Sequence, residues 1–128
     1  MSENNTQSPA SDEGKGMEIY EYIVNNVGDC RDRLDNLIMD LKRADTSGQF
    51  LASTARFLAA VDREGFSEFL PSLIEGAIER DRERRYIGQL PEAIWGPDYR
   101  ERAEELASTD DVFRRLYKRV CPSGTFDN

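Results

Sequence analysis

From Tyr20 onward, apolar residues recur at alternating steps of three and four: Tyr20, Ile23, Val27, Cys30, Leu34, Leu37 and Leu41. This is the seam of an amphipathic helix at heptad spacing, widened by Val24 and Ile38. The phase runs unbroken past Gly28, and an isolated glycine costs a helix only about 1 kcal/mol. The pattern therefore predicts one helix over about 17–44, roughly 42 Å long at 1.5 Å per residue. Leu34 and Leu37 stand at the centre of its seam. The alternative is two helices that part at Gly28, with Asp29 capping the second.

Asp45-Thr46-Ser47-Gly48-Gln49 breaks the pattern, and Thr46 with Gln49 has capping-box spacing. A second helix is expected over about 47–63, with Phe50, Leu51, Thr54, Phe57, Leu58 and Val61 on one face. Gly65 ends it. Ser67 and Pro71 open a third over about 67–86, burying Phe69, Leu70, Leu73, Ile74, Ala77 and Ile78; proline in the first turn marks the start. Gly88, Pro91, Gly96 and Pro97 punctuate 86–99, which reads as loop with one turn at 91–95. A short helix over about 98–107 turns Tyr99, Ala103 and Leu106 inward. Ser108 or Thr109 caps the last helix, whose face is Val112, Phe113, Leu116, Tyr117 and Val120, and whose ends carry Asp110–Asp111 and Lys118–Arg119 in the order that suits the helix dipole. No segment sustains strand alternation. The expected fold is all-α, a compact bundle of about five helices with the long N-terminal helix as spine. Residues 17–121 form its single domain. Residues 1–16 are polar apart from Met1 and Ala10 and read as a disordered tail; 122–128 read as a flexible C-terminal tail.

Composition narrows the chemistry. The 128 residues include no histidine, which excludes Ser-His-Asp and Cys-His catalysis, His-ligated zinc and imidazole pH switching. Leu, Ile, Val and Phe supply just over a fifth of the chain, so the core is lean. The net charge of −8 disfavours direct nucleic-acid binding and anionic membrane surfaces. No signal-peptide run or membrane-length apolar stretch occurs. Two cysteines, Cys30 and Cys121, form no CxxC pair or disulfide framework and suit a reducing cytoplasm.

Motifs for small helical enzymes are incomplete. Glu18/Glu21 and Glu101/Glu104 give two ExxE pairs, but the ExxD that completes a pyrophosphohydrolase magnesium site is missing. The residues before Gly14-Lys15-Gly16 do not make a P-loop. No EF-hand run and no SxxK pair exists. No catalytic, cofactor or metal-binding residue is assigned. Cys30 belongs to the apolar seam as a small buried thiol, and Cys121, at a helix C-terminus, is the more exposed.

Two surfaces remain as candidates. Segment 86–99 holds the only tryptophan and clusters Tyr86, Leu90, Ile94, Trp95 and Tyr99, which serve either as anchors for a partner or as a lid over the bundle's open end. Glu18, Glu21, Asn25, Asp29, Asp32, Asn36 and Asp40 recur every three or four residues, an acidic stripe that is either solvent face or an imitation of a phosphate row. The stretch from Glu79 to Arg85 alternates acids and arginines, as in a helix laced by i,i+4 ion pairs. The expected function is a non-enzymatic cytoplasmic protein-binding module (adaptor, inhibitor or immunity-type regulator) whose partner is another protein with a basic or apolar groove; a homodimer also fits. The alternatives are a small metal-dependent hydrolase using clustered carboxylates and an acidic nucleic-acid mimic.

Overall fold

A computed structural model describes residues 9–121, with side chains from Gly14 onward. The expectations for 1–8 and 122–128 lie outside the described residues. The fold is all-helical, and the expected count of about five is corrected to seven α-helices among the described residues, because the first expected helix divides and the turn expected at 91–95 is a helix: α1 Pro9–Asn25, α2 Leu34–Ala44, α3 Gln49–Asp62, α4 Leu70–Arg80, α5 Leu90–Trp95, α6 Ala103–Thr109 and α7 Asp111–Val120. Short 3₁₀ turns at Arg31–Arg33 and Ile87–Gln89 precede α2 and α5.

The single spine over 17–44 is corrected to two helices. The Asn26 side-chain amide donates to the Tyr22 carbonyl at 2.8 Å, offering the backbone a local alternative to helix. The chain then tightens into i→i+3 turns, with Asp29 N–H on the Asn26 carbonyl at 2.9 Å and Arg33 N–H on Cys30 at 2.9 Å. Gly28 stands open to solvent and adds nothing to packing. The apolar phase survives because Ile23, Cys30, Leu34 and Leu41 all remain fully buried across the break. A 3₁₀ turn, at three residues per turn, advances the face differently from an α-helix. The seam of α2 is accordingly Leu34, Ile38 and Leu41, and the expected centre Leu37 is only half-buried.

The other end of α1 also differs: it starts at Pro9 rather than Met17. Gly16 is buried, and a Cβ there would lie 2.8 Å from the Phe50 ring. The missing side chain lets α3 approach this turn of α1.

Three aspartates punctuate the chain, two of them where hydroxyl caps were expected and the third inside the helix expected over 67–86. Asp45, 3% exposed, accepts from the amides of Gly48 at 3.0 Å, Phe50 at 2.9 Å and Leu51 at 2.8 Å, so it and not Thr46–Gln49 starts α3. Gly48 adopts φ +87°, and its α-carbon faces the Ala77 carbonyl so closely that a Cβ would sit 3.0 Å from that oxygen. Asp110 accepts from Val112 and Phe113, both at 3.1 Å, taking the cap expected of Ser108 or Thr109. Asp81 stops α4 six residues early. Because the helix ends at Arg80, the expected i,i+4 lacework of residues 79–85 does not form.

α3 packs against α4, α5 and α1, while α4 also meets α7. One buried cluster joins α1 through α5 with Leu116 of α7. A second holds Tyr99, Ala103, Ala107, Phe113 and Tyr117, with Trp95 packed against it. Phe113 and Tyr117 stack at 5.4 Å, and burial pushes the Tyr117 phenol above its usual pKa. Val61, expected in the core, is 48% exposed, in a last turn of α3 where Ala60 and Asp62 are exposed too.

Candidate functional site

The segment after α4 is set by a single carboxylate. Asp81, 3% exposed, accepts from the amides of Arg85 at 2.9 Å, Tyr86 at 2.6 Å and Ile87 at 2.9 Å. To bring three amides round one side chain, Arg84 adopts φ 59°, a conformation costing a non-glycine residue about 1 kcal/mol or more. Ile87 and Leu90 are then fully buried and Ile94 nearly so. Pro91 in the first turn of α5 is compatible with the helix start. Gly96 ends α5 at φ +101°.

The C-terminal carbonyls of α5 would otherwise be orphans. Arginines from two other elements take them: Arg63, after α3, donates to the Ile94 carbonyl. Arg102, before α6, donates to the Trp95 carbonyl at 3.0 Å and to Asp98 at 3.2 Å. Trp95 is thereby held half-buried, edge-on to Phe113 with ring centres 5.0 Å apart.

Beside Trp95 lies a cleft of about 390 Å³. Leu70, Pro71 and Ile74 of α4 form one wall; Ile94 and Trp95 form another; Leu106 and Val112 close it. Arg63, Glu64, Arg102 and Asp110 border it, two charges of each sign. The arginines are engaged with α5, and Asp110 caps α7. Seven of the twelve lining residues are apolar, and the Ser67 hydroxyl and the Glu64 carboxylate are the polar side chains left to a ligand at its edge.

The five residues singled out on 86–99 do not share one surface. Ile94 and Trp95 meet in this cleft. Leu90 is fully buried in the main core, and Tyr99, 7% exposed, lies in the second cluster, 6.3 Å from Tyr117 ring to ring. Tyr86 borders a different, polar cleft with Arg80 and Arg82. The acidic residues Glu18, Glu21, Asp29, Asp32 and Asp40 are all exposed, but they are divided among α1, the turn, the 3₁₀ segment and α2, so no single helix carries the stripe. Asp40 pairs with Arg43 at 2.8 Å. Leu70, Pro71, Ile74, Leu106 and Val112 were expected only as core or helix-start residues. Their convergence on one opening has no local signal, since it joins segments some forty positions apart.

Cys30 is fully buried and burial pushes its thiol pKa up against the opposing pull of Arg33. Cys121 is half-buried at the end of α7, and both thiols are free. Among the described residues no three His, Cys, Asp or Glu side chains are grouped to hold a metal ion, and no helix is long and apolar enough to cross a membrane. Comparison with known proteins found no family model, no curated relative and no solved structure that matches the chain.

Proposed function

We propose that this chain is a non-enzymatic protein-binding module whose Trp95 cleft takes an apolar anchor side chain presented by another protein. The observation that carries the reading is the cleft itself. Its volume of about 390 Å³ accommodates one or two large side chains, and its aliphatic and aromatic walls are bordered by charged residues. A tryptophan held by its neighbours offers contact area at little entropic cost on binding, as anchors of interfaces do. The bordering charges balance and are mostly committed to internal bonds, so selectivity at the cleft is for shape and apolarity. The net charge of −8 acts at longer range, drawing the chain toward partners whose surface around the anchor is basic.

A peptide display selection on the immobilised full chain tests this. Enriched peptides should share an aromatic or branched aliphatic anchor flanked by Lys or Arg. They should quench or shift Trp95 fluorescence and lose about tenfold or more in affinity toward Leu106→Arg, a half-buried position at the cleft. Enrichment of no peptide, or of peptides that bind Leu106→Arg equally well, overturns the reading. Sedimentation at several concentrations covers a second copy of the chain as occupant: self-association abolished by Leu106→Arg would replace the foreign partner with a homodimer.

A further inference from the structure

A second cleft, sharing no lining residue with the first, has the opposite character. It encloses about 380 Å³ between Thr46 and Ser47 of the α2–α3 connection and Arg80, Arg82, Arg85 and Tyr86 on the other side, and Asp81 and Glu83 also line it. In the sequence residues 71–90 are neutral, with four acids against four arginines. The fold redistributes that balance. Asp81 is turned inward, its carboxylate occupied by three backbone amides. Glu75 is drawn to α7, where it pairs with Arg115 at 2.6 Å. Only Glu79 and Glu83 stay with the arginines, pairing with Arg80 at 3.3 Å and Arg85 at 2.9 Å, and both glutamates are at least 70% exposed. Among the described residues no side-chain hydrogen bond or ion pair of Arg82 is found.

The three guanidinium groups are not equally free. Arg80 is fixed by bonds to the Gly76 carbonyl at 2.9 Å and the Lys42 carbonyl at 3.0 Å, which gives the cleft a rigid positive wall. Arg82 and Arg85 stand on the exposed turn, where a solvent-facing pair such as Arg85–Glu83 is weak and readily exchanged. A dianion with three acceptor oxygens outcompetes a single carboxylate for such groups, because guanidinium donors match phosphate geometry in pairs. Opposite, the Ser47 hydroxyl donates to Asp45 at 3.4 Å and accepts from the Gln49 amide at 3.2 Å, which leaves the exposed Thr46 hydroxyl as the neutral donor.

We infer that this cleft binds a phosphate monoester dianion, with Arg82 and Arg85 as its principal donors, Arg80 as a fixed positive wall and Glu83 as the internal competitor that the ligand displaces. A phosphorylated side chain of a partner and a small phosphorylated metabolite present the same group, and the two are separated by experiment.

The test is an amide-resolved NMR titration of the full chain with inorganic phosphate, O-phosphoserine and a phosphoserine peptide paired with its unphosphorylated form, each at constant ionic strength in chloride. The expected result is saturable shifts at Ser47, Arg82, Arg85 and Tyr86 with an affinity in the millimolar range or tighter. Arg82→Ala and Arg85→Ala should each weaken binding about tenfold, and Glu83→Gln should strengthen it severalfold. All three side chains are exposed, so these variants keep the fold. Tighter binding of the peptide than of phosphoserine assigns the phosphate to a partner chain; equal binding assigns it to a small molecule. Shifts that fail to saturate with every phosphorylated probe, that the unphosphorylated peptide reproduces, or that persist in the Arg82→Ala/Arg85→Ala double variant overturn the inference.

Discussion

Replacing Asp45 with alanine removes the acceptor for the first turn of α3, and the geometry sets the cost. Oδ2 accepts from Phe50 at 2.9 Å and Leu51 at 2.8 Å, while Oδ1 accepts from Gly48 at 3.0 Å and Ser47 at 3.2 Å. Gly48, Phe50 and Leu51 are buried, so water cannot replace the carboxylate at their amides without opening the helix start. An orphaned buried amide costs about 1–3 kcal/mol. Three of them, partly relieved by relaxation, come to about 3–5 kcal/mol. That is a large part of the roughly 5–15 kcal/mol that stabilises a domain. Asp45→Asn retains one carbonyl oxygen, which can keep the Phe50 and Leu51 bonds, and should cost only about 1–2 kcal/mol. Urea unfolding followed by far-UV circular dichroism measures both, with the slope unchanged if only the native state is affected. Hydrogen exchange at the Phe50 and Leu51 amides should quicken in the alanine variant before other core amides do. An alanine cost below about 1 kcal/mol, or an asparagine as damaging as alanine, would refute the assignment of this carboxylate as the organiser of α3.

In the same unfolding assay Leu34→Ala should cost about 2–5 kcal/mol and Leu37→Ala about 1 kcal/mol, since Leu34 is fully buried and Leu37 half-buried. Trp95→Ala should cost about 2 kcal/mol, less than the roughly 3–5 kcal/mol of a wholly buried tryptophan, because part of its ring lines the cleft. A thiol reagent should modify Cys121 in the native protein and Cys30 only after unfolding. Burial raises the Cys30 thiol above its reference value of 9.0, so above that pH the folded chain holds a proton that the unfolded chain has released. Stability therefore falls as pH rises from about 9, and Cys30→Ala should flatten that fall in unfolding curves recorded near pH 8.5 and 9.5.

The helical class is legible because a three-four spacing of apolar residues has no other economical use, and Phe113, Leu116 and Tyr117 of α7 lie buried as that spacing indicates. Breaks are harder to read. The seam stays in phase through Asn26–Arg33 although the helix does not, since what periodicity reports is burial, and Cys30 is buried within a turn. Polarity similarly conceals the start of α1: Gly16 contributes by lacking a side chain against Phe50, which no hydrophobic count registers. The caps lie one or two residues from the expected hydroxyls because Asp45 and Asp110 outcompete them, offering charged oxygens where Thr46, Ser108 or Thr109 offers a neutral one. Of the 86–99 segment, Ile94 and Trp95 reach the cleft, whereas the opposite walls from α4, α6 and α7 depend on tertiary approach that local spacing does not encode.

The suspension of α5 from Arg63 and Arg102 limits what the Trp95 cleft admits. Two guanidinium–carbonyl bonds at the surface are worth about 2–3 kcal/mol together. An occupant that fits the opening leaves them intact. One that is a ring too large must detach the end of α5, and its dissociation constant rises roughly 30- to 150-fold by that conformational tax. The bonds hold adjacent carbonyls of the same helix end, so loss of either arginine relaxes the same wall. If the cleft takes an anchor as proposed, substituting Arg63 or Arg102 would therefore broaden the range of acceptable anchors while leaving the apolar walls unchanged, a route to exchanging one partner for a bulkier one.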